Sequence, residues 1–393
     1  MTVRPSKNIE SLPGYAFAEV GKIVADLRAQ DVHVLDFGVG DPSAPTPKVI
    51  RERGQAAIDE FASSGYPSYI GSVEFRTAVA AWVERRYAVL VDPAKHVSAT
   101  IGSKESIFHM PLAFVDPGDV VISPNPGYPP FTRGTTFAGG ENWTYPVLAD
   151  NDFLPDLGAI PDHVLDRTKM LWINYPNSPT GKVAPLEFFE EAAKFCRLRD
   201  ILLVSDEAYG DLWYGDVVPP SALQTGLENV ISVFSLSKRS NMTGWRSGFV
   251  VGDADAVGYF RKLKTNIDSG TPDFVRAASI TALEERTHVA AARADYLEKR
   301  NLLSLAFTGI GLPNCAPEGT MFMWQRIPEG MTSVDFAKKL LHPEIAVVVT
   351  PGTWLSSIQP NGIDPGEGYV RLAMVPDVSA CREAAIRISK LEL

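Results

Sequence analysis

The sequence predicts an α/β protein: a large domain built on a mostly parallel sheet covered on both faces, plus a smaller α/β C-terminal domain. Three observations point there. Short, near-continuous apolar runs recur at 119–123, 170–174, 201–205, 230–234 and 248–252, the pattern of strands buried on both sides. Between them lie longer segments with helical spacing, such as 185–196, which is apolar along one stripe and acidic at its start. The chemically capable residues fall directly after strands, at 174–180, 206–209 and 235–238. Ligands of open α/β sheets bind at that edge.

A Gly38-Val-Gly40 pair is followed by prolines at 42, 45 and 47. Those prolines forbid the helix that a dinucleotide loop must open, so that reading is rejected. Gly102-Ser-Lys-Glu105 precedes a plausible helix start at Ser106, where free backbone N–H groups favour an anion. Asn125-Pro-Gly-Tyr-Pro-Pro130 offers Tyr128 on a loop, able to stack on a heterocycle or simply to pack. From about residue 273 a long helical stretch passes Arg286, Ala294 and Leu305, and mixed strand and helix segments follow. We therefore expect a large domain over 41–275, with 1–40 joining 276–393 in the small one.

Composition narrows the function classes. The chain of 393 residues is 45% hydrophobic and 21% charged, ordinary for a soluble globular protein. Its formal charge of −10 argues against nucleic acid or an anionic membrane as partners. No apolar run approaches the ~18–20 residues of a membrane span, and the first ten residues do not read as a signal peptide. The three cysteines are scattered, which fits reduced thiols in a cytoplasmic protein. No two histidines lie within five residues of each other, so a metal site is not expected.

The chemistry concentrates in Ser235-Leu-Ser-Lys-Arg-Ser-Asn-Met-Thr-Gly-Trp-Arg246. Lys238 stands at a strand end between hydroxyls, with a guanidinium eight residues on. A lysine so placed can hold an aldehyde cofactor as an imine while Ser235, Ser237 and Arg246 take that cofactor's phosphate. Asp206 lies one residue beyond a strand expected to be buried, where a carboxylate needs a partner such as a protonated ring nitrogen. Arg371, inside the apolar strand 369–373, needs an anion: an internal carboxylate or that of a substrate.

With these motifs in order, the chain resembles the fold-type I aminotransferases of the class I/II family, which depend on pyridoxal 5′-phosphate. The resemblance runs from Tyr15 to Arg371. Within the family the chain looks most similar to the diaminopimelate aminotransferase branch, through Gly14-Tyr-Ala-Phe-Ala-Glu-Val-Gly21, Gly38-Val-Gly-Asp-Pro42, Gly102-Ser-Lys-Glu105 and Ser235-Leu-Ser-Lys-Arg-Ser-Asn241. The resemblance implies that Lys238 anchors the cofactor and shuttles a proton, that Asp206 keeps the pyridine nitrogen protonated, and that Tyr209 bonds the 3′ oxygen. It implies that Tyr128 stacks on the ring and that Ser103, Lys104, Ser235, Ser237 and Arg246 hold the phosphate. Tyr66 would reach in from a second subunit of a homodimer. Arg371, helped by the backbone of Gly40, would grip the substrate α-carboxylate, and Tyr15 would stand on the substrate side.

Two departures follow. The family usually has Asn immediately before Pro-Thr-Gly; here that residue is Ser178, with Asn177 one earlier, and either could reach the 3′ oxygen. Asp268 stands near a position where the diaminopimelate enzymes often carry Asn. It either reaches a neighbouring active site, favouring an amine-bearing substrate, or is a solvated turn residue. The activity implied is amino transfer between an L-amino acid and a 2-oxo acid, with glutamate/2-oxoglutarate as one pair and LL-diaminopimelate or its N-succinyl derivative as the other partner. The alternatives are aspartate, alanine or aromatic amino transfer, or carbon–sulfur β-elimination at the same site. A regulator module behind a DNA-binding domain is disfavoured, because the enzyme-like pattern begins by Tyr15.

Overall fold

The computed structural model describes residues 3–12, 18–42, 44–216 and 218–393. Its centre is a seven-stranded sheet: β1 (Val97–Thr100), β2 (Val120–Asn125), β3 (Glu141–Pro146), β4 (Thr168–Asn174), β5 (Leu202–Asp206), β6 (Val230–Ser235) and β7 (Gly248–Gly252). The spatial order is β1-β7-β6-β5-β4-β2-β3. All neighbours are parallel except β7, which runs antiparallel to both β1 and β6. Every residue of β2, β6 and β7 is buried, as expected of strands covered on both faces. The five apolar runs fall on β2, β4, β5, β6 and β7. The edge strands β1 and β3 were missed; β3 is largely uncovered and lacks an apolar run.

Helices close both faces. One apolar cluster packs helix 186–197 and the 145–165 segment on one side of the sheet. Another sets Ile107, Met110 and Phe260 against Trp172, Val204 and Val233. The stretch expected as one long helix from 273 is two: α6 (Asp273–Glu284) and α7 (Thr287–Gly309). The break comes at Glu285, whose backbone is extended; its carboxylate accepts hydrogen bonds from the N–H groups of Thr287 and His288 and so caps the second helix. A second sheet of three antiparallel strands follows, β8 (Phe322–Arg326), β9 (Thr350–Pro351) and β10 (Tyr369–Ala373), in the order β9-β10-β8. Its core joins Leu35 and Phe37 to Phe307, Phe336, Leu372 and Ile388. Thus early residues share a core with the C-terminal third.

Five further helices precede these in the chain. Helix α1 (Val73–Tyr87) starts at a Ser72 cap. Helix α2 (Ser103–Phe114) follows β1, with Gly102 at its N-cap in the left-handed region. Helix α4 (Leu236–Arg239) is a single turn after β6, after α3 (Leu186–Arg197) on the far side. Helix α5 (Ala254–Lys264) starts at Asp253, whose carboxylate accepts from the N–H groups of Asp255 and Ala256.

Candidate active site

The C-terminal ends of β4, β5 and β6, the start of α2 and strand β10 converge on a cavity of about 590 Å³. Its walls include Gly40, Ser103, Lys104, Tyr128, Ser178, Asp206, Tyr209, Ser235, Ser237, Lys238, Arg246 and Arg371. Twelve of the residues selected from sequence are therefore neighbours in space. Asn177 is not among them. It is buried in the 177–181 turn, where its Oδ1 accepts from Thr180 N and Oγ1 and its Nδ2 donates to Asn174 O. The asparagine that does face the cavity is Asn174, at the last position of β4. It donates to the backbone oxygen of Asp206 at 2.9 Å and accepts from Ser178 N at 2.9 Å. Tyr66 is 86% exposed and away from the cavity of its own chain. Tyr15 lies outside the described residues.

Lys238 sits on the one-turn α4, held by Ser235, whose hydroxyl accepts from Ser237 N. The lysine Nζ donates to Gly40 O at 2.8 Å. Burial, with Arg246 adding repulsion, pushes its pKa down to about 8, against the opposing pull of Asp41. The amine therefore gives up its proton far more readily than an ordinary lysine, as a nucleophile and base requires.

Asp206 is 4% exposed and, among the described residues, has no ion-pair partner; its carboxylate accepts from Ala208 N at 3.1 Å. Burial pushes its pKa up to about 7, with the neighbouring Glu207 adding to the rise. Arg371 is likewise without an anion. Its Nη2 donates to Gly38 O at 2.7 Å and its face lies 4.7 Å from the Phe322 ring. Its Nε is shut from solvent with no acceptor, and among the described residues no carboxylate is paired with it. Burial lowers its pKa to about 10, with Tyr209 acting in the opposite sense. Among the described residues the structure thus pairs Arg371 with no internal carboxylate.

At the far wall, Arg246 has φ 56 and directs Nη1 to Thr243 O at 2.8 Å and Nη2 to Ile101 O at 3.3 Å. Its guanidinium lies across Gly102, whose φ is +74; a Cβ there would be 2.5 Å from Arg246 Nη2. Only glycine lets the guanidinium and the N-terminus of α2 share this corner. A Cβ on Gly40 would be 2.6 Å from Phe322 Cζ, so glycine is needed there as well. Thr243 Oγ1, buried and without a partner, lines the same wall.

Sequence reasoning gave no role to Asn174, Ala208, Thr243 and Phe322, although the first two lie in stretches it singled out. Asn174 could have been found, because it ends an apolar strand as Asp206 does. Phe322 gave no signal, since an aromatic in an apolar strand reads as core. Asp268 is neither a solvated turn residue nor free. Lys264, 1% exposed, donates to both its carboxylate oxygens at 2.8 and 2.7 Å and also to Glu105 at 3.3 Å. Glu105 in turn accepts from Ile101 N, which ties this buried network to the start of α2.

The donor set fits a phosphorylated, aldehyde-bearing pyridine. Hydroxyls, a guanidinium and a helix N-terminus lie at one end, a buried uncompensated carboxylate and an amine in the middle, and an orphaned guanidinium beyond. Fold and site define a pyridoxal-phosphate enzyme that acts on a carboxylate-bearing amine. The comparisons with known proteins agree. The family model described as aminotransferase class I and II matches residues 32–388. The chain is 42% identical to the LL-diaminopimelate aminotransferase of Aquifex aeolicus, over 99% of both chains. Among solved structures it superposes on a probable N-succinyldiaminopimelate aminotransferase from Thermus thermophilus with a TM-score of 0.86 at 32% identity, covering 96% of this chain and 100% of that one. A Thermus thermophilus aspartate aminotransferase mutant gives a TM-score of 0.90 at 27% identity, over 100% of both chains. The chain belongs to the class I and II aminotransferases and is a pyridoxal-phosphate-dependent transaminase.

Proposed function

We propose that this transaminase exchanges an amino group between glutamate/2-oxoglutarate and a diaminopimelate-type partner, LL-diaminopimelate or its N-succinyl derivative. The observation that carries amino transfer to or from an α-amino acid is Arg371, a guanidinium without an anion that faces the same cavity as Lys238 and Asp206. The diaminopimelate assignment rests on relatives of that name at 42% identity over almost the whole chain. The same reading places the enzyme in the cytoplasm, divides it into domains at 41–275 and 1–40 with 276–393, and makes it a homodimer in which the partner copy supplies the exposed Tyr66.

Pyridoxal phosphate, when bound, supplies an electron sink for the pair left when the substrate Cα loses its proton. The chain's residues do the rest. Lys238 Nζ would hold the cofactor through its aldehyde carbon and, as a neutral amine, would move the proton at the substrate Cα. Asp206 would hold a proton on the pyridine nitrogen and so regain the low pKa that burial alone denies it. Asn174 fixes the Asp206 backbone, and Tyr209 and Ser178 stand within the cavity to meet the ring oxygen. Tyr128 offers its ring as a stacking face. Ser103, Lys104, Ser235, Ser237, Thr243 and Arg246 would hold the phosphate, and Arg371 would take the substrate carboxylate.

The test is a set of half-reactions followed by absorbance. LL-diaminopimelate and L-glutamate should each bleach the visible band of the holoenzyme, and aspartate, alanine and phenylalanine should do so far more slowly. Equal rates with all five, or bleaching by aspartate alone, would reject the substrate assignment.

A further inference from the structure

A second pocket, of about 330 Å³, lies behind the catalytic one. Neighbouring residues of α4 serve the two: Lys238 lines the first and Arg239 the second. Five guanidiniums, those of Arg85, Arg86, Arg239, Arg286 and Arg293, face a single carboxylate, Asp211. This runs against the chain's own balance of −10.

Asp211 accounts for two of the five. Arg86 Nε and Arg239 Nε approach its two oxygens at 3.2 and 2.5 Å, and both guanidiniums also donate to backbone carbonyls, of Gly210 and Ala282. Arg85 is anchored on Leu283 O. Arg286 and Arg293 have no ion-pair partner among the described residues. Glu285 is near in sequence, but its carboxylate is committed to the cap of α7 and to His288 Nδ1 at 2.6 Å. Arg293 is held in place: its guanidinium lies 3.7 Å over the Trp213 ring, which Arg86 contacts at 4.9 Å. Trp82 and Val289 supply apolar wall. Like charges held in a partly desolvated concavity repel unless an anion joins them. The size is that of a small-molecule site.

We propose that this pocket is a non-catalytic binding site for a small dianion bearing carboxylate or phosphate oxygens, gripped by Arg286 and Arg293. Arg86 and Arg239, fixed by Asp211, line its inner wall. Trp213 sits in the wall, and it also pairs as an isolated bridge with Gly319. The ligand therefore contacts the segment that leads from Tyr209 to the second sheet. The proposal does not rest on the transaminase's substrate.

Calorimetric titration of the holoenzyme with inorganic phosphate, and separately with succinate, tests it. Saturable binding of at least one is expected; the stronger of the two tells a phosphate ligand from a dicarboxylate. Combined Arg286→Ala and Arg293→Ala should weaken it about tenfold or more, the loss of charge-assisted bonds. Arg286→Ala alone leaves the Trp213 stack intact and should still weaken it. Arg371→Ala should leave it unchanged. Absence of saturable binding, binding indifferent to both arginine variants, or binding lost with Arg371 would each overturn the proposal.

Discussion

Two sets of buried charges flank the start of α2, and they differ in one respect. Lys264, Glu105 and Asp268 form a closed network in which every charge has a partner of opposite sign. Lys238, Asp206 and Arg371, in the cavity beside it, have no ion-pair partner among the described residues. Burying a charge is costly, and a paired set offsets the cost within the fold. The unpaired set leaves it to be offset by ligands. Structural charges are those the protein completes, and catalytic ones are those that cofactor and substrate complete.

The sharpest way to break this contrast is Lys238→Ala, which should cut turnover by at least ~10³-fold while the melting temperature of the cofactor-free protein stays level or rises. A large loss of stability would put Lys238 with the structural set. Lys264→Met should do the reverse, leaving Glu105 and Asp268 uncompensated at about 3–5 kcal/mol. Thermal unfolding should show this, with kcat of the surviving folded enzyme little changed. Arg371→Lys keeps the charge but loses the fork. Its kcat/KM should fall roughly 10–100-fold, mostly through KM, in steady-state assays.

The smallest effect is on the cofactor-free protein. Burial raises the Asp206 and Glu207 carboxyls to about 7. The folded state therefore holds protons that the unfolded chain releases near pH 4, and stability falls as pH rises through about 4 to 7. Asp206→Asn combined with Glu207→Gln should flatten that fall, so that the variant loses less stability than the parent between pH 5 and pH 8. A denaturation series against pH would show it. Cofactor binding should remove most of the Asp206 share in the parent enzyme.

The same contrast explains what could be read from sequence. Residues whose type is wrong for their surroundings stood out: a lysine between serines at a strand end, an aspartate past a buried strand, an arginine within one. Strand runs buried on both faces were equally legible. Asn174 escaped because two further polar residues, Asn177 and Ser178, competed for its role, and only the turn geometry shows Asn177 spent on Thr180. The edge strand β3 escaped because half-exposed strands lack a continuous apolar run. The pairing of Asp268 escaped because an i, i+4 lysine–aspartate pair reads as a surface feature until Lys264 is seen to be buried.

The central claim is that the unpaired charges wait for a cofactor and an α-amino acid. Absorbance of the holoenzyme on adding LL-diaminopimelate without any oxo acid tests it most directly. The account predicts that the visible band bleaches once, in proportion to enzyme, with no ammonia released, and that Arg371→Ala needs far more substrate for the same change. No bleaching with any amino acid, or continuous ammonia and pyruvate release from cystathionine with no acceptor present, would contradict it.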